Sequence, residues 1–225
     1  MTRFVLVWSA ALFAAPLTMA QLNLIEIGGV PQTGNVALAS IGAQPHASSV
    51  ISGYPFHAIS GLNDGWYGNN GNINYGDGVG ASGASWIPTA QTATAGISLP
   101  TPATIGRIAW GRDSSVTWNE RTSGLYTVKV STDSLPFFDT GKTWHVIGSV
   151  QLQDYTSTDS LRHLYSFAPQ VGVTDVKIDV TAYGQPVCIE EIEVYAAVPE
   201  PGTLAALSVA AVRAGVPKRR RKARG

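Results

Sequence analysis

The chain has 225 residues, 44% of them hydrophobic and 13% charged, which excludes a disordered polymer and suffices for one good core or two small ones. Its formal net charge of zero hides an uneven distribution. Seven of the 15 basic residues lie at or after Arg213 and an eighth is Arg3; without these eight and Glu200, seven basic residues face 14 acidic ones, about −7 for the body, which argues against a nucleic-acid partner.

The N-terminus reads as a secretory signal over residues 1–20. Arg3 precedes the apolar run "FVLVWSAALFAAPL", and Thr18, Met19 and Ala20 put small residues ahead of a cleavage before Gln21. The run is short for a membrane span. A buried N-terminal helix is the alternative reading.

From Gln21 to Ala196 the pattern is β. In "GLYTVKVSTD" Leu125, Thr127, Lys129 and Ser131 alternate with Tyr126, Val128 and Val130. In "DVKIDVTAYG" Val176, Ile178 and Val180 face away from Lys177 and Asp179, and "IEEIEVY" sets Ile192 and Val194 against Glu191 and Glu193. "TIGRIAWGR" and "TWHVIGSVQLQ" complete the set. Short alternating strands between Gly, Pro, Asn and Asp turns predict an all-β sandwich or barrel. No fixed-period repeat is present. Tyr67 to Ser85 forms a long Gly/Asn-rich loop, of the kind that is functional or disordered. The single cysteine, Cys188, can form no internal disulfide and reads as a small buried hydrophobe.

The chain closes on Pro199, Glu200 and Pro201, then the run "LAALSVAAV" up to Arg213, then a basic end. The prolines stop preceding secondary structure. The apolar run would enter a membrane and the basic block would stay on the cytoplasmic side. Residues 197–225 resemble the PEP-CTERM sorting signal of exopolysaccharide-producing bacteria. The resemblance implies processing by an exosortase-type enzyme, transient membrane association through the tail, and a destination at the bacterial cell surface, outer envelope or extracellular matrix. The run falls short of the ~20 residues of a full span, and a disordered basic tail is the alternative.

Residues 21–196 resemble a discoidin-like domain (coagulation factor 5/8 type C), among the galactose-binding-domain-like sandwiches. The matching pieces, in order, are "NVALAS", "ASS", "YPFHAISGLNDG", "SWI", "TIGRIAWGRD", "YTVKVSTDS" with Trp144, and "EEIEVY". The resemblance implies a single jelly-roll β-sandwich. Three departures stand out: "PTAQTATAGISLP" follows "SWI", "DSLPFFDTGKTW" replaces a short Asp-Gly turn, and "TDVKIDV" replaces an arginine-rich strand.

The resemblance also implies a structural calcium. Asp64 and Glu191 would supply carboxylates, and the carbonyls of Ile59, Asn63, Trp66 and Glu190 the remaining oxygens, within the six to eight that calcium takes. Read without the family, Asp64 makes an Asx turn and Glu191 is a solvated strand residue.

Sugar recognition needs an aromatic face for the ring and forked polar groups for its hydroxyls. The candidates are Trp66, Tyr67, Asn69 and Asn70 in the first loop and Arg112, Trp118, Asn119, Glu120 and Arg121 in "GRDSSVTWNERTSG". Tryptophan and arginine together also mark protein-binding hot spots. Alternatively Trp66 and Trp118 cap the core while Arg112 pairs with Asp113 or Glu120.

For catalysis little is present. His46, His57, His145 and His163 lack metal-ligand spacing, and there is no nucleophile elbow or phosphate loop. Asp113 and Glu120 share a loop and are the one carboxylate pair a divergent glycoside hydrolase could use. The sequence therefore points to an exported, non-catalytic module that binds carbohydrate or exopolysaccharide, with a structural matrix protein as the alternative.

Overall fold

The computed structural model describes residues 21–29, 31–54, 57–67, 85–112, 119–153 and 157–197, without the side chains of residues 119, 120 and 157. Residues 1–20, where a signal segment is expected, and the tail from residue 198, with Pro199, Glu200 and Pro201, lie outside the described residues. Among those described, seven strands follow one another: β1 (Asn23–Ile27), β2 (Gln44–Ala47), β3 (Thr92–Gly111), β4 (Gly124–Ser131), β5 (His145–Leu152), β6 (His163–Ala182) and β7 (Glu191–Ala196). No helix among them is long and apolar enough to cross a membrane.

All pairings are antiparallel. β3 and β6 are 20 residues each and pair along most of their length, but the register slips between Ser98 and Arg107. The cause is local. Pro100 and Pro102 in β3 and Pro169 in β6 have no N–H to donate, and Gly172 turns at φ 71°. The two strands therefore bend together and contribute to both layers. One layer runs β2–β3–β6–β4–β5, through Thr92–Ser98 and Asp175–Thr181. The other runs β7–β3–β6–β1, through Ile105–Gly111 and His163–Ser166. This is the expected all-β jelly-roll sandwich.

One core lies between the layers. Ala95, Ile97, Val128, Ile147 and Ile178 from the first meet Ile105, Ile108, Trp110, Tyr165, Ile192 and Val194 from the second. The alternation in β4 and β6 holds as predicted, with Tyr126, Val128 and Val130 and with Val176, Ile178 and Val180 buried. "TATAGISLP", within the stretch that departs from the family pattern after "SWI", is the first half of β3. One alternative reading fails. Glu191 is not a solvated strand residue: Glu191 and Glu193 are wholly buried, because chain also covers the outer face of β7.

Candidate functional site

The start of β7 gathers the loops at one end of the sandwich. Trp86 exchanges backbone hydrogen bonds with Ile189 at 2.7 and 3.0 Å. Cys188 N donates to the Arg121 carbonyl at 2.7 Å, and Glu190 N donates to the Gly111 carbonyl at 2.9 Å. Gly65 N donates to Glu191 Oε2 at 2.9 Å. Residues 186–191 thus hold together the loops carrying Trp66, Arg112 and Arg121, which are far apart in sequence.

The side chains on this hub differ in what they offer. Trp66 is 41% exposed and presents its indole to solvent. Arg121 is half-buried, and its Nη1 donates to the Pro186 carbonyl at 3.4 Å. Arg112 is buried, with Nε 4.0 Å from Glu190 Oε1, so the loop-borne ligand arginine expected from sequence is an internal one. Its partner is a residue next to β7 rather than only its loop neighbours, because the end of β3 runs beside β7. Tyr67 is also buried rather than open to a ligand; burial, then the charges of Glu193 and Glu191, push its hydroxyl well above the usual range. Asn119 lies in the 3-10 turn Asn119–Thr122, of which the side chains of Asn119 and Glu120 are not described. Asn69, Asn70, Asp113 and Trp118 lie outside the described residues.

Sequence reasoning passed over Tyr54, His57 and Ser85 here. His57 Nδ1 and Ser85 Oγ are 2.8 Å apart, and Tyr54 stands 5.9 Å from the His57 ring and is 54% exposed. Burial lowers the pKa of His57; its contact with Ser85 opposes this, and the nearby Arg121 and Arg112 charges add to it. "YPFH" carried the signal, an exposed aromatic beside a histidine in a turn, but spacing alone could not bring it to Arg121.

The residues expected to hold calcium also come together. Ile59 opens a 3-10 turn, Ile59–Leu62, which Asn63 ends. Asn63 is buried: its Nδ2 donates to the carbonyls of Ala37 and Ala43 at 2.9 and 3.2 Å, and its own carbonyl accepts from Ala39 N at 2.9 Å. Asp64 Oδ1 accepts from Trp66 N at 3.0 Å, the Asx turn expected of Asp-Gly. Two buried oxygens, Asn63 Oδ1 and Glu191 Oε1, have no hydrogen-bond partner among the described residues. Burial holds the Glu191 carboxyl well above the usual range; the Gly65 N–H opposes that, while the Asp64 and Glu193 charges add to it. Unanswered buried oxygens and a raised carboxyl with a second carboxylate nearby are the chemistry that a hard cation relieves, so the donor set fits the ion. No group of three or more His, Cys, Asp and Glu is placed for a metal among the described residues.

Neither the protein-family models nor the curated proteins contain a match to this sequence. Solved structures do match. CpGH89CBM32-5 from Clostridium perfringens, in complex with GalNAc-β-1,3-galactose, aligns with TM-score 0.50 and 13% identity over 72% of this chain and all of its own. The lectin domain of lectinolysin, complexed with Lewis B antigen, aligns with TM-score 0.50 and 15% identity over 75% of this chain and all of its own. The class these define is a jelly-roll sandwich fold that carbohydrate-binding modules also have. The fold is shared; at these identities, function is argued from the site.

Proposed function

We propose that this protein is an exported, non-catalytic module that binds glycan at the loop end of the sandwich, at a bacterial cell surface or in its matrix. The observation that supports this most is the convergence of the loops of Trp66, Arg112 and Arg121 on residues 186–191. In this reading the exposed rings of Trp66 and Tyr54 take the apolar face of a sugar, and Arg121 and His57 face its hydroxyls. Trp118, Asn119 and Asn69 join them on sequence grounds. Arg112 acts through position, pairing with Glu190 beneath the site. The tail would sort the protein through an exosortase-type enzyme acting at Pro199, Glu200 and Pro201, with transient membrane association.

A calcium ion belongs to this proposal. Asp64, Glu191 and Asn63, with nearby carbonyls, would hold it, and it would supply a cross-link between the first loop and the last strand. Its role is structural: it would stiffen the loop that carries Trp66.

A glycan array probed with the purified chain tests the reading. Binding to a defined set of sugars, lost in Trp66→Ala and Arg121→Ala variants that melt like the parent, is the expected result. A chain that captures no glycan would favour a matrix protein without a defined small ligand, and polysaccharide turnover would restore the hydrolase reading.

A further inference from the structure

Lys129, Lys142 and Lys177 are the only lysines between Gln21 and Ala196, and all three meet on the outer face of the five-stranded layer. β4 and β6 pair so that Lys129 stands directly opposite Lys177. The stretch "DSLPFFDTGKTW", which replaces a short turn, folds back over the same face. Phe137 is buried against the space that Gly96 leaves, where an added Cβ would lie 2.5 Å from its Cζ. It stacks on His46 at 4.3 Å, and Trp144 packs edge-on against it at 5.2 Å. The Lys142 ammonium is wholly buried. It donates to the carbonyls of Asp133 and Leu135, each at 2.6 Å, and pairs with Asp175 Oδ2 at 2.8 Å. Around the Trp144 ring, Lys177 Nζ lies 4.4 Å and Lys142 Nζ 5.7 Å from the centroid.

Three ammoniums here meet two carboxylates. Asp175 is saturated by Lys142, Ser98 and Thr174. Asp179 is shared, 2.7 Å from Lys129 Nζ and 3.7 Å from Lys177 Nζ, and it also accepts from Thr94 Oγ1 at 2.6 Å. Asp133 and Asp139 are engaged in turns, accepting from Leu135 N and Gly141 N. Within the ion pairs of this face, Lys129 and Lys177 share the single carboxylate of Asp179. Like charges directly opposite on neighbouring strands destabilise a sheet, so Lys129 and Lys177 depend on Asp179 as their shared counter-charge. Burial lowers the pKa of Lys177; the Asp179 charge opposes this and the Lys129 charge adds to it. The side chains of Lys129, Lys177 and Asp179 keep 26, 17 and 29% of their surface, and Trp144 is half-buried, so a ligand can reach them.

We infer that this face is a second binding site, for a glycan that carries carboxylate groups: a uronate carboxylate seats between the ammoniums of Lys129 and Lys177, with the sugar ring beside Trp144. The carboxylate gives the two lysines that share Asp179 a second acceptor, and charge-assisted hydrogen bonds from both fix its position. The indole supplies the apolar surface a sugar ring needs. The site lies on the sheet face, not on the loop end, and does not depend on the loop-end reading.

Calorimetry on the full chain with an oligogalacturonate, against a neutral galacto-oligosaccharide, tests it. The uronate oligomer should bind with quenching of tryptophan fluorescence. Lys129→Gln and Lys177→Gln should each weaken it about tenfold, the worth of one charged hydrogen bond, and Trp66→Ala should leave it unchanged. Binding should vanish in about 1 M salt, where the screening length is ~3 Å. No uronate binding, or equal binding by a Lys129→Gln/Lys177→Gln double variant that melts like the parent, would overturn the assignment. So would loss of uronate binding on Arg121→Ala alone. Should the glutamine variants fail to fold, the charge-keeping Lys129→Arg/Lys177→Arg variant and the salt series decide; binding that ignores salt overturns it.

Discussion

Arg162 and Glu193 form a two-point ion pair inside the protein, Nε to Oε1 at 2.6 Å and Nη2 to Oε2 at 3.1 Å, with both side chains at most 2% exposed. The Tyr195 hydroxyl also donates to Glu193, and Arg162 Nη1 lies 3.6 Å from Glu26. The pair ties the chain entering β6 to β7, under the loop end. Removing one partner of a buried pair strands the other charge, at a cost of about 3–5 kcal/mol. Arg162→Met should therefore be strongly destabilising in urea unfolding. The double variant Arg162→Met/Glu193→Met should recover much of that loss, and additive losses would show that the pair is not coupled.

Gly96 is the floor on which Phe137 rests. A Cβ there would lie 2.3 Å from the Val176 carbonyl oxygen and 2.9 Å from Lys177 Cα, both backbone atoms of the neighbouring strand. Gly96→Ala should cost about 1–3 kcal/mol, the usual range for overpacking. The near-ultraviolet circular dichroism of the aromatic cluster should weaken in step with it. A variant as stable as the parent would mean that β3 and β6 part more readily than their pairing suggests.

Acid should loosen the protein through its histidines. Burial lowers the pKa of His46, His57 and His163 below their ordinary value. A histidine depressed in the folded state takes up its proton more readily when unfolded, so stability rises with pH through this region. The contribution is full above the unfolded value of about 6.5 and falls as the pH drops below it towards the folded values. Melting temperature should decline between about pH 7 and pH 5. A His163→Gln variant, which keeps a polar group near Tyr165 and the Thr158 carbonyl, should show a shallower decline. An identical slope would remove His163 from the account.

Calcium should raise the melting temperature, and a chelator should lower it to that of the ion-free protein. A ligand at about 100 times its dissociation constant adds about 2.7 kcal/mol. Glu191→Gln keeps an acceptor for Gly65 N but removes the charge, and should abolish the calcium response. A melting curve indifferent to both calcium and chelator would rule the ion out.

Much of this molecule was decided by local sequence. Alternation in "YTVKV" and "VKIDV" assigned the inward faces of β4 and β6, because side chains on a strand point to opposite sides by covalent geometry. Asp64-Gly65 carried its own turn, since an aspartate can bond the backbone two residues on. Tertiary structure decided the rest. Whether Glu191 and Glu193 meet water depends on what covers the outer face of β7, and no periodicity reports that. Arg112 looked like a loop arginine until the end of β3 placed it beside Glu190. Lys129, Lys142 and Lys177, spread over 49 positions, meet only through strand register and a folded-back insertion. Strand character and turns arise from neighbours in the chain, whereas burial and charge pairing arise from neighbours in space.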